Sequence, residues 1–310
     1  MPCVSVIISI YKPNSLFLKR QLESIDNQDF DDMEIVIYND CPEDSTWEKF
    51  CTKYCKRHPL RFLQGNKNLG YIKAFEHLIT LAKGKYLAFC DQDDRWLPGR
   101  IKEGAKKLDE GYLLTLCDRQ IIDADDVIIN QSWRHTHPLD HSVNWSDGEH
   151  FASKAAFNCY SIGMATMMRA DIARQLIPFP ICTGHDKWLA LGANTLGPCA
   201  NIDKALVQYR QHSKNVTGAM KGIYSKQDWK KRRVESSYSL AQEYSKRFPK
   251  SLDAPIISEF ANARMMGRPF TLLRYWSLAP RIVAFETLMN LVPQSLFPFF
   301  LKLAKMADRK

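Results

Sequence analysis

The first apolar run of this chain, "CVSVIISIY" (3–11), passes into its first helical pattern through "KPNS" without a single glycine. A sheet that holds phosphate on its backbone ordinarily does so with a glycine-rich turn feeding a helix N-terminus. Neither G-x-G-x-x-G nor G-x-x-x-x-G-K-[ST] occurs anywhere in the sequence. That weighs against a dinucleotide dehydrogenase and a P-loop NTPase. It also weighs against a sugar-phosphate nucleotidyltransferase, which would wrap a triphosphate in glycines after its first strand. Nine cysteines are present, but no C-x-x-C and no histidines at zinc-finger spacing, so they read as reduced structural thiols of a cytoplasmic protein. No apolar stretch reaches the roughly 18 uninterrupted residues of a membrane-spanning helix. The opening "MPCVSVIISIY" lacks a basic n-region and leads into a strand, so it does not read as a signal peptide. Helix-turn-helix and RNP-like patterns, internal repeats and low-complexity tracts are all missing. Three N-x-[ST] matches, at Asn130, Asn144 and Asn215, read as chance.

What is present is a chain of 310 residues, 45% hydrophobic, long enough for one large domain or a domain with an appendage. Its net charge of +9 points to an anionic partner: nucleic acid, a membrane surface or phosphorylated substrates. The β-branched run at 3–11 has the pattern of a strand covered on both faces. Leu18, Leu22 and Ile25 then fall on one helical face. "EIVIYND" (34–40) reads as a second strand ending in Asp40 and the turn-like "CPEDS", followed by a helix at about 45–57, a short strand "RFLQ" and the loop "GNKNLG". A further helix carries Ala74, Leu78 and Leu81, and "KYLAFCD" closes the alternation. Strand–helix alternation over a hundred residues predicts an α/β fold, a mostly parallel sheet with helices on both faces. Ligands bind such sheets beyond the carboxyl ends of the strands, and Asp40 and Asp91 both sit there.

"LAFCDQDDRW" (87–96) sets Asp91, Asp93 and Asp94 within four positions behind a buried strand. Asp94 could cap a helix starting near Trp96-Leu97-Pro98. The other two carboxylates would repel without a partner, and a Mg²⁺ or Mn²⁺ bridging them to phosphates would supply one.

Taken in order, the first strand, "NDCPEDS", "NKNLGYIKAF", "DQDD", "GHDKWL" and "YRQH" resemble the family 2 inverting glycosyltransferases over about residues 3–215. The "DQDD-W-L-P" and "YRQH" forms look most like the rhamnosyltransferase-like bacterial branch acting on cell-surface polysaccharides. The resemblance implies a GT-A fold and a donor that is a nucleotide-diphosphate sugar, dTDP- or UDP-linked, dTDP-rhamnose included. By the same resemblance Asp40 contacts the base or ribose, against the alternative of a turn-forming Asx residue. Asp91 faces ribose or metal, and Asp93 is the main metal ligand. Asp94 either hydrogen-bonds the metal's ligands or caps the helix. Lys73 lies near the nucleotide or is a solvated helix lysine. Asp186 matches the catalytic base, while His185 replaces the glutamate the family usually has before it. His185 could bond Asp186, contact acceptor or point into the core. Trp188 floors the acceptor site or fills the core. Arg210 and His212 reach the diphosphate, with His212 a further metal ligand.

The resemblance ends near 215, giving expected divisions of 1–215 for the catalytic domain (about 1–100 for the nucleotide sugar, 101–215 for the acceptor) and 216–310 for a helical extension. Within that extension "SLFPFFLKLAKMADRK" mixes apolar and basic residues. It suits a bilayer's headgroup boundary, or else docks on the catalytic core. A cytoplasmic enzyme, peripheral on the inner face of the membrane and acting on a lipid-linked glycan without nucleic acid, is the expectation. A basic polyanion binder, or an inactive sugar-nucleotide binder in an assembly, are the competing readings.

Overall fold

The computed structural model describes residues 2–212 and 222–307, with side chains in the last helix as far as Lys302. Asn215, the expected 215/216 boundary and the side chains beyond Lys302 lie outside it. The chain forms two compact units. One runs to His150 and resumes over Cys159–His212; the other is Phe151–Asn158 with the chain beyond His212.

In the first unit the order is β1 (Val4–Ile10), α1 (Ser15–Asp26), β2 (Met33–Asn39), α2 (Trp47–Tyr54), β3 (Leu60–Gln64), α3 (Tyr71–Leu81), β4 (Tyr86–Cys90) and β5 (Arg95–Trp96). Then come α4 (Arg100–Asp109), β6 (Leu114–Ile122), β7 (Ile128–Asn130) and α5 (Trp133–Thr136). After α6 (Ala152–Ala155), which belongs to the second unit, follow β8 (Thr166–Arg169), α7 (Ala170–Gln175), α8 (His185–Leu196) and β9 (Ala200–Arg210). The sheet runs β3-β2-β1-β4-β8-β6-β9-β5, with β7 beside β6. The helix-connected strands β3, β2, β1 and β4 are mutually parallel. Beyond β4 the chain returns through extended segments, so β8 lies antiparallel to both β4 and β6, while β9 is parallel to β6. From β1 the chain steps to β2 and β3 on one side, then crosses to β4 on the other. This is a topological switch point, and it opens a crevice at the carboxyl ends of β1 and β4.

"KPNS" has a job that needs no glycine. Asn14 Oδ1 accepts the N–H groups of Leu16 (2.9 Å) and Phe17 (3.2 Å), so the segment caps α1 rather than cradling phosphate. The nine cysteines form no disulfide, and most of them are buried.

The second unit adds α9 (Lys226–Trp229), α10 (Ser236–Arg247), α11 (Asp253–Met266), α12 (Pro269–Leu273), α13 (Pro280–Leu291) and α14 (Phe297–Ala307). Its interior holds a buried ion pair, Arg264 to Glu286 at 2.6 Å, to which the Trp229 indole N–H donates at 2.9 Å. Phe297 and Leu301 of α14 pack against Ile223 and Met289. Part of the tail is therefore core of its own helical unit. Removing it would expose that core, which makes truncation a poor test of membrane binding. Among the described residues no helix is long and apolar enough to cross a membrane.

Candidate active site

Three strand ends build the crevice. After β1, the Tyr11 backbone N–H donates to Gln92 Oε1 (2.8 Å), and Gln92 Nε2 donates back to the Tyr11 carbonyl (3.3 Å). This pair fixes "DQDD" against the first strand, and nothing in the sequence pattern marked it. Lys12 follows at φ 44°, a left-handed conformation that a lysine keeps only when its surroundings impose it. After β2 comes Asp40. Its Oδ1 accepts the Leu69 N–H (2.6 Å) and its Oδ2 the Gly70 N–H (2.9 Å), so the buried carboxylate organises the "NKNLG" loop at the start of α3. In this geometry both its oxygens serve the protein. Lys73, on α3, pairs with Glu76 at 2.8 Å and is held on its own helix.

After β4 the carboxylates separate into distinct environments. Asp94 is fully buried; its Oδ1 accepts the Arg210 backbone N–H at 2.9 Å. It is not a helix cap. Residues 95–96 form β5, and the next helix begins at Arg100 behind Gly99, whose φ of 85° supplies the turn. Burial, followed by the charges of Asp93 and Asp91, pushes the Asp94 carboxyl well above the carboxylate range. Asp93 Oδ2 lies 2.8 Å from His212 Nε2, joining the end of β4 to the residue after "YRQ". The imidazole sits 5.4 Å from the Phe17 ring. Asp91 is pushed up to about 7, first by burial and then by the charges of Asp93 and Asp186.

That last influence brings Asp186 into the site. It occupies the first turn of α8, where its Oδ1 accepts the Lys187 N–H at 2.8 Å. Tyr71, at the first position of α3, faces the same charge: burial and then the Asp186 carboxylate raise its phenol. Tyr71 was not singled out in the sequence, because an exposed tyrosine beside a loop glycine carries no pattern. Asp93 thus contacts His212, while Asp91, after β4, and Tyr71, on α3, both lie within electrostatic reach of Asp186 on α8.

Three residues expected near ligand lie buried: His185 and Trp188 take the core position that was one of their alternatives, and Arg210 departs from its expected reach to a diphosphate. His185 is buried, stacked on Phe75 at 4.2 Å and flanked by Phe89 and Phe179, with neither ring nitrogen hydrogen-bonded. Burial lowers its pKa, so a neutral ring in an aromatic stack replaces the polar helper. Its aromatic neighbours, Phe75 and Phe89, come from α3 and β4 and could not be paired with it from sequence. Trp188 is also buried, donating its indole N–H to the Leu176 carbonyl at 2.8 Å, and belongs to the core. Arg210 is fully buried: Nε donates to the Asp93 carbonyl (2.8 Å), and Nη1 donates to the Asp123 carbonyl (2.9 Å) and pairs with Asp126 (2.5 Å). Its guanidinium braces the "DQDD" backbone instead of reaching a diphosphate. Asp126, which also meets Arg20 and Arg95, anchors that brace.

Could a divalent cation be held here? Among the described residues no group of three or more His, Cys, Asp or Glu side chains is arranged to hold a metal. The Asp93–His212 pair with Asp91 beside it nevertheless fits an ion that keeps few protein ligands and takes the rest from phosphate and water. Carboxylates suit Mg²⁺ and Mn²⁺, and an imidazole among them favours Mn²⁺. Burial first, and then the charges of Asp93 and Asp186, raise Asp91, and a bound cation would offset both.

A pH dependence follows from it. An unfolded aspartate titrates near 3.9, roughly three units below the folded group. The folded chain holds this proton over about pH 4–7 while the unfolded chain does not. The resulting stabilisation is complete at low pH and is lost as the pH rises through the folded value. Melting curves of the metal-free protein at about pH 5 and about pH 8 should therefore show wild type losing more stability toward the higher pH than Asp91→Asn. Parallel losses in the two proteins would remove the titration from Asp91.

The family model "Glycosyl transferase family 2" matches residues 5–176, more than half of the chain. The chain belongs to that family. Among its relatives, the GalNAc(5)-diNAcBac-PP-undecaprenol beta-1,3-glucosyltransferase of Campylobacter jejuni is 30% identical over 125 residues, 36% of this chain and 36% of that protein. The match therefore spans little more than a third of either protein. The fold is that of S. aureus TarS 1–349 in complex with UDP-GlcNAc (TM-score 0.59, 20% identity, 90% of this chain and 76% of that one). It is also that of the mannosyltransferase PcManGT of Pyrobaculum calidifontis in complex with GDP-Man and Mn²⁺ (TM-score 0.57, 17% identity, 97% and 84%). The expected GT-A architecture is thus present.

Proposed function

We propose that this protein is a metal-dependent inverting glycosyltransferase moving a sugar from a UDP- or dTDP-sugar, dTDP-rhamnose among the candidates, to a lipid-linked glycan in bacterial cell-surface polysaccharide synthesis. The observation that carries the reading is that Asp91, just past the carboxyl end of β4, lies within electrostatic reach of both Asp93 and Asp186 in the first turn of α8. An undecaprenol-linked acceptor in the Campylobacter relative's name supports the acceptor class, and the UDP-GlcNAc and GDP-Man complexes support a nucleotide-sugar donor. Asp93, His212 and Asp91 would hold the divalent ion. When bound, it neutralises charge developing on the departing diphosphate. Asp186 accepts the proton of the acceptor hydroxyl as that oxygen bonds to the anomeric carbon and the carbon–oxygen bond to the diphosphate breaks on the opposite face. Tyr71, beside Asp186, lines the acceptor side. Arg210 and Gln92 keep the carboxylates in place through the backbone. Screening sugar nucleotides for hydrolysis with and without Mn²⁺ tests the reading: one donor should be cleaved in a metal-dependent way. Salt-dependent DNA binding that ignores the aspartates, with no donor cleaved, would favour the polyanion binder instead.

A further inference from the structure

We infer that the exposed face of α12 and α13 in the helical unit is a docking surface for an anionic lipid bilayer; the inference rests on the lipid-linked acceptor proposed above. Phe270 on α12 is 80% exposed, Trp276 in the following turn 52%, and Leu291 at the end of α13 65%. Along α13 the exposed positions Arg281, Ala284, Leu288 and Leu291 fall at i, i+3, i+7 and i+10, one stripe, with Asn290 exposed beside its end. Beneath them Leu272, Ala279 and Val283 are fully buried. The helices are seated, and apolar residues remain on the outer side as well. A helix apolar on both faces needs a second apolar environment.

The charges choose which one. Between residues 265 and 302 the charged side chains are Arg268, Arg274, Arg281, Lys302 and Glu286. The four cations are exposed, whereas Glu286 is buried in its pair with Arg264. Every exposed charge of the segment is positive. A symmetric contact with a second copy would bring like charges together. Aromatic and aliphatic side chains among arginines match the headgroup boundary of an acidic membrane, and the carboxylate beside them, Glu259 of α11, accepts the Tyr275 hydroxyl at 3.0 Å.

The test is flotation of the full chain with vesicles of phosphatidylcholine alone or mixed with phosphatidylglycerol. Wild type should float only with the mixed vesicles and release at high salt. Neutralising Arg268, Arg274 and Arg281 to Gln together should lower partition roughly a hundredfold, about fivefold for each arginine. F270S/W276S should lower it even at low salt. Because these side chains are exposed, both variants should keep the wild-type melting temperature and their cleavage of a soluble donor. Wild type that ignores both vesicles, or variants that float as well as wild type, would overturn the inference. So would self-association lost in F270S/W276S without vesicle binding, which would make the face a contact between copies. Vesicle binding by a protein that cleaves no sugar nucleotide would leave this surface standing and remove the transferase reading.

Discussion

Asp186→Asn should bind the sugar nucleotide almost as wild type does while turning over at least about a hundredfold more slowly, the range expected when a positioned general base is lost. The substitution keeps the size of the side chain and the oxygen that accepts the Lys187 N–H at the start of α8. It removes only the group that can take a proton. Donor affinity should survive because the residues that would hold the diphosphate and its ion lie on β4 and after β9, not on α8. A second consequence separates this outcome from a general disturbance. Asp186 is one of the charges that raise Asp91, so neutralising it should bring the Asp91 titration down, readable as a smaller pH dependence of melting than in wild type. Turnover near that of wild type would exclude Asp186 as the base. A fall in turnover with matching loss of donor affinity would make it a structural residue of the crevice.

The sequence carried the parallel half of the fold because that half is written in periodicity. β-branched runs alternate with helical faces, and each strand end is punctuated by an acidic residue or a turn. It pointed to Asp91, Asp93 and Asp186 through ordered landmarks, not through chemistry visible at any one of them. It did not carry the assignments that depend on which way a side chain turns. His185 is a polar letter beside a carboxylate, yet it faces Phe75, because helix position alone does not say which neighbours pack on it. Arg210 and His212 stand two apart, the spacing of one face in an extended strand. The strand ends at Arg210, however, and the alternation fails there: one side chain is buried among loop carbonyls and the other meets Asp93. Asp126 gave no signal, since its three arginine partners come from α1, β5 and β9. The exposed stripe on α13 was hidden for a related reason: apolar residues on both faces of a helix leave no periodic contrast to read.

Asp93→Asn should abolish transfer and remove the metal dependence of nucleotide binding. The amide can still meet the His212 ring, so the 2.8 Å contact between the end of β4 and the end of β9 has a neutral replacement. What it cannot do is offer an anionic oxygen to a hard cation, and amides are far weaker ligands for Mg²⁺ or Mn²⁺ than carboxylates. In wild type, UDP or dTDP should bind more tightly when Mn²⁺ is added, and a chelator should reverse the gain. In the variant, affinities with and without the ion should coincide near the chelated wild-type value. Transfer should fall by at least about a hundredfold, because several kcal/mol of charge stabilisation on the departing diphosphate is lost with the ion. His212→Gln should move in the same direction by less, since the carboxylates remain. The pairing of results is what decides: nucleotide affinity indifferent to Mn²⁺ in wild type and variant alike would mean that Asp93 and His212 hold each other and no metal, and the crowding of carboxylates in "DQDD" would then need another explanation.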